Sequence, residues 1–352
     1  MKMSRIVCLG ILGLWLLSTA LFAATPSADK VGVFGLENKQ EADDLGVGWT
    51  RVPVWWNSYE TQREKLEQRL KALEGVKVLA TIRAVHLTKT NCPARAKPRL
   101  REQMSCPPRD IEEYKNFIRE VVKNYKDKIA AWQIENEVYS GAVKYWVEDD
   151  LGSIDHFISL FKAVSEVIRH EDPGKIILAP GIALGRGIEF DAEGNVRFTE
   201  SVLSPKLQRE VFLTCQANVR KAFKELCGYF DVADIHLYHT VESIPNRVKW
   251  LKKLMQEEGC TKPIWSTEIA GPQLWDRNAT EEFYAAQAKE LPLRLSAALD
   301  SGVEKVFYFH YRDGEKKSSP DIIFATCGLV AANGKKKPAY FAMQKFMGVK
   351  AE

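Results

Sequence analysis

The stretch that decides the fold is residues 132–138, WQIENEV, together with a second stretch of the same kind at residues 263–270, PIWSTEIA. Both are short and apolar, rich in isoleucine and tryptophan, and each carries a glutamate near its end, Glu137 in the first and Glu268 in the second. This composition is typical of a buried strand, where a carboxylate is costly unless it is paired or used. Two such glutamates on distant strands predict one shared site, and hydrolysis of a glycosidic bond is the reaction that requires two facing carboxyl groups.

Outward from these stretches, the chain alternates short apolar segments with longer amphipathic ones. The eight strand candidates are residues 31–36, 49–55, 76–84, 130–136, 175–181, 232–238, 263–268 and 305–310. Eight strands alternating with helices in one chain of this length predict a single-domain (β/α)8 TIM barrel of the α/β class. A doubly wound open sheet is the alternative, but Gly32 and Gly35 are too sparse for a dinucleotide-binding turn.

The N-terminal segment predicts export. Lys2 and Arg5 precede an apolar run over residues 6–22, which ends in Ala23 and Ala24. This pattern is typical of a secretory signal, so we expect residues 1–24 to be a removed signal peptide and residues 25–352 to be the catalytic domain. A transmembrane anchor is the alternative, but the run is short for a membrane span. We therefore predict a secreted or periplasmic protein that does not associate with the membrane after cleavage.

Charge and cysteine content narrow the class further. Loss of Lys2 and Arg5, the only charged residues of the segment, lowers the formal net charge from +4 to +2, which is too near neutral to suggest nucleic-acid binding. Six cysteines remain after cleavage. In an oxidising compartment the natural local pairs are Cys92–Cys106 and Cys215–Cys227, although the sequence leaves the connectivity open.

Polar and aromatic residues gather at the predicted strand ends, and in a (β/α)8 barrel those ends form the active face. Six of the eight predicted strands end in such residues, namely Arg51 (strand two), His86 (three), Asn136 and Glu137 (four), His236 and Tyr238 (six), Glu268 (seven) and Tyr311 (eight). Trp275, in the loop after strand seven, is the tryptophan that we favour for stacking on a sugar. Six clusters at six strand ends are improbable by chance, so they predict one site.

On these residues the chain resembles clan A of the glycoside hydrolases, the retaining (β/α)8 glycosidases. Families of that clan place an Asn-Glu pair after strand four and a second glutamate at the end of strand seven, as Asn136, Glu137 and Glu268 stand here. The Arg-x-Pro of strand two and the His-x-Tyr of strand six are similar too. The resemblance covers nearly the whole mature chain, but it does not specify a family or a substrate.

Two departures from the pattern of the clan concern the substrate. Val138 stands where many members have a proline after the Asn-Glu pair. Strand eight offers Phe309, His310 and Tyr311 where many members have a tryptophan that forms the sugar platform. Neither departure removes a catalytic group.

The resemblance implies a double displacement on a β-linked oligo- or polysaccharide. Glu137 would be the proton donor and then the base, and Glu268 would attack the anomeric carbon. Arg51 and Tyr238 would keep Glu268 ionised by charge and hydrogen bonding. Further supporting or substrate-binding roles fall to Asn136 at the sugar 2-hydroxyl, His236 beside the acid/base, His86, Trp275 and Tyr311. Glu135 is expected either to support the catalytic groups from behind or to belong to the barrel wall, and not to be catalytic itself.

Two alternatives use the same residues. His86, His236, His239 and His310 fall near the active rim, so a metal-dependent hydrolase is conceivable, but strand one lacks the His-x-His anchor of such enzymes. We therefore expect no metal and no cofactor. The second alternative is a catalytically inactive carbohydrate-binding barrel that retains the rim.

The segment from 88 to 109 is unusually basic, with Lys89, Arg95, Lys97, Arg99, Arg101 and Arg109. These charges would favour an anionic glycan if they lined the cleft. The simpler interpretation is a disulfide-tied lid whose charges face water.

Overall fold

The computed structural model describes residues 25–92, 105–139, 154–185, 187–199, 204–272, 280–314 and 326–350. Within these residues the chain forms ten strands: β1 Val31–Phe34, β2 Trp49–Trp55, β3 Lys77–Arg83, β4 Ala131–Ile134, β5 Ile176–Ile182, β6 Ile188–Phe190, β7 Val196–Phe198, β8 Val232–Ile235, β9 Ile264–Ile269 and β10 Lys305–Tyr308. Eight of them close into a parallel barrel in the order β1-β2-β3-β4-β5-β8-β9-β10. The predicted (β/α)8 barrel is confirmed, with predicted strands six, seven and eight as β8, β9 and β10.

Helices connect the barrel strands and cover the outside of the barrel. They are α1 Lys39–Leu45, α2 Trp56–Ala72, α3 Ile111–Tyr125, α4 Ile154–Glu171, α5 Pro205–Leu226, α6 Ile244–Glu257, α7 Glu281–Asp300 and α8 Pro338–Phe346. Several begin at a side chain that accepts a free backbone N–H of the first turn: Asn38, Asp110, Ser204 and Thr280. β6 and β7 form a separate antiparallel hairpin after β5, in the segment between the fifth strand and α5.

The interior of the barrel is layered, because every second residue of a strand faces inward. At the amino-terminal end the layer is apolar and consists of Trp49, Leu79, Ala131, Leu178, Val232, Trp265 and Phe307. Two residues further along five of these strands the side chains are polar and buried: Arg51, Thr81, Gln133, Asp234 and Thr267. We call these five residues the polar layer. It lies directly beneath the strand ends where the site is expected.

One predicted disulfide is confirmed and the other is wrong. Cys92 bonds Cys106, but Cys227 bonds Cys260, with a Cα–Cα distance of 5.5 Å, and Cys215 is a buried free thiol. The reason is helix geometry, since Cys215 lies within α5 and Cys227 directly follows it. Twelve residues of helix separate two Cα atoms by about 18 Å, far beyond the reach of a disulfide.

The sequence predicts a removed signal peptide and no association with the membrane after its cleavage. No described helix is both long and apolar enough to cross a membrane. The predicted signal peptide, residues 1–24, lies outside the described residues.

Candidate active site

Glu137 and Glu268 both lie at the carboxyl end of the barrel. Glu268 belongs to β9, and Glu137 lies three residues beyond the end of β4. In the turn after β4, Glu137 and Glu135 have positive φ angles of 51° and 64°, which residues other than glycine rarely adopt. Residues held in this way cluster at functional sites, because the surrounding structure must stabilise them. The turn after β4 therefore sets the direction of the Glu137 side chain.

Glu268 is held by two donors. Arg51 Nη1 lies 2.5 Å from Glu268 Oε1, and the hydroxyl of Tyr238 donates to Oε2. Burial alone would raise the pKa of this carboxyl, but the positive charges of His236 and Arg51 and the two hydrogen bonds outweigh burial and lower the pKa. Glu268 is therefore ionised at neutral pH.

Arg51 also fixes the asparagine of the Asn-Glu pair. Its Nη2 donates to Asn136 Oδ1 at 2.8 Å, and its Nε donates to Thr81 Oγ1 at 2.8 Å. One guanidinium thus connects Glu268, Asn136 and Thr81, and its planar fork suits this use better than a lysine would.

His236 lies between the two glutamates. Its Nδ1 is 2.5 Å from Glu137 Oε1 and 3.4 Å from Glu268 Oε2, and the ring is completely buried. Burial alone would lower the pKa of His236, but the charges of Glu268 and Glu137, the nearby Asp234 carboxylate and the close contact with Glu137 raise it to about 10. Glu137, His236 and Glu268 each offer an atom within 4.8 Å of the others.

An aromatic wall stands beside the carboxylates. The ring centroids of Phe34 and Phe309 are 4.9 Å apart, and those of Tyr238 and Phe309 are 6.1 Å apart. The Arg51 guanidinium lies 5.6 Å from the Phe34 centroid. Phe34 was not predicted as a site residue, although it closes β1, the neighbour of β10 in the barrel. That position in the barrel is the signal that could have identified it.

Apart from Arg51, the residues of the polar layer beneath the site were also missed from the sequence. Thr81 Oγ1 donates to Gln133 Oε1 at 2.9 Å, and Gln133 Nε2 donates to Asp234 Oδ2 at 2.6 Å. Thr267 donates to Asp234 through its backbone N–H at 2.9 Å and its hydroxyl at 2.5 Å. A continuous hydrogen-bonded chain therefore runs from Arg51 across the barrel to β9.

His86 lies outside this cluster. Its Nε2 is 3.1 Å from Glu60 Oε2 on α2, and its Nδ1 accepts the backbone N–H groups of Thr88 and Lys89 at 3.1 Å each. These bonds orient the start of the loop after β3. The predicted support role of His86 is therefore not through contact with either glutamate.

Tyr311 and Trp275 complete the predicted set. Tyr311 is buried, and burial together with the charge of Glu41 on α1 raises the pKa of its hydroxyl. Trp275 lies outside the described residues. Their roles in substrate binding stay predictions.

Glu135 lies apart from the pair, as expected of a barrel-wall group. Its carboxylate accepts the backbone N–H of Ala84 at 2.6 Å and the hydroxyl of Ser105 at 2.5 Å. Although it is two residues from Glu137, the left-handed backbone at both positions breaks the strand period, so the two side chains do not share a face. Glu135 instead anchors the segment next to Cys106.

The described ends of the basic segment are engaged in local contacts. Lys89 pairs with Glu60 at 2.8 Å and with Glu113 at 2.7 Å, and Arg109 Nε donates to the Thr90 carbonyl at 3.2 Å. The other basic residues, between 93 and 104, lie outside the described residues. For Lys89 and Arg109 the interpretation as a tied lid fits these contacts.

The spacing of Glu137, His236 and Glu268 would also allow the three to hold a metal ion. Two features of the site oppose this use. Arg51 already neutralises Glu268, and His236, with its raised pKa, would have to lose a proton before it could bind a metal. The arrangement therefore suits proton transfer and nucleophilic attack better than metal binding.

Comparison with protein families gives a match over residues 201–335 to the model described as "Glycosyl hydrolase catalytic core". This match includes His236, Tyr238 and Glu268. Comparison with curated proteins gives no match. The family match covers less than half of the chain, and together with the eight-stranded parallel barrel it agrees with the resemblance to the (β/α)8 glycosidases of clan A.

Three solved structures show the same fold. A family 39 glycoside hydrolase from the gut symbiont Bacteroides cellulosilyticus WH2 is 18% identical, with a TM-score of 0.60 over 91% of this chain and 63% of its own. The exo-β-1,4-mannosidase Op5Man5 from Opitutaceae bacterium strain TAV5 is 14% identical, with a TM-score of 0.58 over 91% and 59%. A glucosidase from Croceicoccus marinus is 13% identical, with a TM-score of 0.63 over 91% and 67%. This chain therefore spans about three fifths of the length of the first two.

Proposed function

We propose that this protein is a retaining glycoside hydrolase, with Glu268 as nucleophile and Glu137 as acid/base. The observation that carries the proposal is the distance of at most 4.8 Å between an oxygen of each carboxylate. Retaining enzymes hold their carboxyl groups about 5 Å apart, whereas inverting enzymes need about 6.5 Å or more to admit a water between carboxylate and sugar. The distance favours direct attack by a carboxylate on the anomeric carbon.

The surroundings of Glu268 support its role as the nucleophile. Arg51, Tyr238 and His236 all favour the ionised carboxylate and point it into the site. Each carboxylate oxygen of Glu268 accepts one of these hydrogen bonds, from Arg51 or from Tyr238, and keeps a further lone pair for attack on the anomeric carbon. A carboxylate held in place in this way loses little freedom when the covalent bond to the sugar forms.

The surroundings of Glu137 support its role as the acid/base. Its side chain is 25% exposed, compared with 10% for Glu268. An acid/base must reach first the leaving-group oxygen and then an incoming water, so the more open carboxylate suits this role. When Glu137 gives its proton to the leaving oxygen, His236 at 2.5 Å is placed to stabilise the carboxylate that results.

The substrate that we propose is a β-linked oligo- or polysaccharide. Asn136, fixed by Arg51, is placed beside Glu137 to bond a sugar hydroxyl, and such a bond strengthens as charge develops at the ring. Phe34 and Phe309 offer an apolar wall for the face of the sugar. Because the chain matches only part of its longer structural neighbours, the identity of the sugar does not follow from them.

We also propose that the protein works outside the cytoplasm. The two disulfides, Cys92–Cys106 and Cys227–Cys260, support this location, because such bonds persist mainly in oxidising compartments. A glycosidase in that location would meet polysaccharides before they are taken up.

The test is release of reducing sugar from a panel of neutral and acidic β-glycans by wild type and by Glu268→Gln. The matched control is Glu171→Gln, because Glu171 on α4 is buried to the same degree, with 9% of its side chain exposed, and pairs with Arg119 and Lys123. We expect loss of at least about a thousandfold in kcat for Glu268→Gln and little change for Glu171→Gln. Undiminished hydrolysis by Glu268→Gln would refute the nucleophile assignment, and a folded wild type inactive on every glycan would favour the inactive binding barrel.

A further inference from the structure

Beneath the two glutamates, the polar layer contains a third carboxylate to which the proposed mechanism gives no role. Asp234 is completely buried on β8, one inward position below His236. Three hydrogen bonds converge on it, from the Thr267 backbone N–H at 2.9 Å, from the Thr267 hydroxyl at 2.5 Å and from Gln133 Nε2 at 2.6 Å. Burial alone would raise the pKa of Asp234, but these bonds and the positive charges of His236 and Arg51 lower it. Asp234 is therefore an ionised carboxylate out of reach of the substrate.

Proton positions follow from this arrangement. An ionised carboxylate only accepts hydrogen bonds, so the hydroxyl hydrogen of Thr267 points to Asp234 Oδ2. His236 Nε2 lies 3.2 Å from the same hydroxyl oxygen and 3.6 Å from Asp234 Oδ2. Because Thr267 has no second hydrogen to donate, its oxygen accepts from His236. Nε2 of His236 therefore carries a proton.

The ring has no room to turn away from this contact. A Cβ at position 181 would lie 2.1 Å from His236 Nε2, so only glycine at Gly181 on β5 lets the imidazole occupy its place. This is a close approach of backbone and ring, the situation in which glycine is required. The imidazole is thus packed against β5, with Nε2 toward Asp234 and Thr267 and Nδ1 toward the catalytic pair.

Among the described residues, the charged groups around His236 are mostly carboxylates. Glu137 after β4 and Glu268 of β9 face Nδ1, and Asp234 of β8 lies 3.6 Å from Nε2. Arg51 of β2, which pairs with Glu268, adds a positive charge, and the ring centroid of Tyr238 lies 6.2 Å from that of His236. With Glu137 protonated, as the acid step requires, the carboxylates of Glu268 and Asp234 and the guanidinium of Arg51 would leave the buried cluster with one net negative charge if the ring were neutral. An imidazolium cancels that charge, and its Nδ1 faces Glu137 Oε1 at 2.5 Å.

We propose that Asp234 is a positioning residue that, through Thr267, fixes the proton on Nε2 of His236 and keeps the ring an imidazolium facing Glu137 and Glu268. The inference rests on the proposed function for its catalytic meaning. As Glu137 transfers its proton to the leaving oxygen, the cation at Nδ1 stabilises the new carboxylate; when a water then attacks the intermediate, Glu137 takes a proton from that water and becomes the acid again. Asp234 takes part in neither transfer, and it acts only by holding the charge of His236.

The direct test is the ¹⁵N spectrum of protein labelled at histidine, with the His236 signals assigned by their absence from His236→Asn. In wild type we expect both ring nitrogens of His236 to remain protonated from about pH 6 to about pH 8. In Asp234→Asn we expect the ring to become neutral within that range. The matched control is Asp172→Asn, which neutralises another buried aspartate, one that accepts the Trp132 indole N–H at 3.1 Å. This control should leave His236 protonated.

Two outcomes would overturn the inference: a neutral His236 in wild type at about pH 7, or an imidazolium that persists in Asp234→Asn to about pH 8 as it does in the control. If Asp234→Asn fails to fold, the wild-type spectrum still tests whether His236 is an imidazolium. Thr267→Val, which removes the linking hydroxyl at nearly constant size, then tests whether Asp234 acts on His236 through Thr267. A Thr267→Val protein in which His236 stays protonated over the whole range would also refute the proposed link.

Kinetics separate this inference from the proposed function. Asp234→Asn should lower kcat by about ten- to a hundredfold with a much smaller change in KM, and should add an ionisation near neutral pH to the pH profile. A merely structural defect would lower the amount of active enzyme without adding that ionisation. If wild type hydrolyses no glycan, the proposed function fails while the spectra still decide the charge of His236. If hydrolysis is normal and the spectra of wild type and Asp234→Asn agree, only this inference fails.

Discussion

At the scale of single residues, the site depends on opposite charges placed in contact inside the barrel. Glu268 is almost completely buried, and its carboxylate is contacted by the guanidinium of Arg51, the hydroxyl of Tyr238 and the imidazole of His236. Removing one partner of such a buried charge lowers stability far more than removing one partner of a surface ion pair does, because the remaining buried charge is left uncompensated. The residues around Glu268 are therefore expected to act on its ionisation before they act on substrate affinity.

Tyr238→Phe tests this expectation. Loss of the hydroxyl removes a hydrogen bond to the ionised form of Glu268, so the pKa of Glu268 should rise. The acidic limb of the pH profile of kcat/KM should then move to higher pH, and kcat/KM at neutral pH should fall by about ten- to a hundredfold. The matched control is Tyr125→Phe, which removes a tyrosine hydroxyl bonded to Glu67 on the helical exterior, 3.2 Å away. An unmoved acidic limb in Tyr238→Phe would contradict the role of Tyr238.

Residue identity on the strands could be read from the sequence only in part. Glu137 and Glu268 were found because a glutamate is conspicuous at the end of an apolar segment. Arg51, Asn136, His236 and Tyr238 were found because they stand at predicted strand ends, and the resemblance then suggested their roles. Gln133 and Asp234 were missed because both faces of a parallel barrel strand are buried, so polarity alone does not show which residue faces inward. Only the register between strands brings them into one layer.

At the scale of elements, the eight strands could be predicted because each is a short apolar run between amphipathic helices. The bounds differ by few residues; β4, for example, ends at Ile134 rather than at Asn136, since the chain turns at the left-handed Glu135. The failure of the predicted Cys215–Cys227 pair has the same origin in element geometry. Proximity in sequence does not bring two cysteines together when a helix holds them apart.

The Cys227–Cys260 disulfide, found in place of the predicted Cys215–Cys227 pair, can be tested directly. Cys227 follows α5 and Cys260 precedes β9, so their bond closes a loop with a sequence separation of 33 residues. Non-reducing peptide mapping should recover these two cysteines in one linked pair. Replacing both with serine should lower the free energy of unfolding by about 3 to 4 kcal/mol in urea denaturation. Cys215→Ala, which breaks no disulfide, is the control and should lose less; a linked pair that contains Cys215 would contradict the structure.

At the scale of the whole molecule, the charge cluster predicts how stability depends on pH. The pKa of His236 is raised to about 10 in the folded state, whereas unfolded histidine titrates near 6.5. Because the folded pKa is the higher one, the stabilisation is complete below about pH 6.5 and is lost as pH rises toward 10. Between these values the folded state holds up to one more proton, so the free energy of unfolding should fall by about 1.4 kcal/mol per pH unit.

Urea denaturation at about pH 7, 8 and 9 measures this slope. His236→Asn should show a flatter dependence than wild type, because it removes the group whose proton is lost. His170→Asn is the control, since His170 has a side chain 82% exposed and should keep the wild-type slope. Equal slopes in wild type and His236→Asn would show that His236 is not the titrating group.

The central claim, attack by Glu268 on the sugar, is tested most directly by trapping the intermediate. Once the panel has identified a glycan that is hydrolysed, the corresponding 2-fluoro glycoside with an activated leaving group should inactivate wild type. Intact mass and peptide mapping should then place one sugar on Glu268, while Glu268→Gln gains no mass. A sugar bound to another residue, or hydrolysis that proceeds without an adduct and first releases the inverted anomer, would contradict the claim.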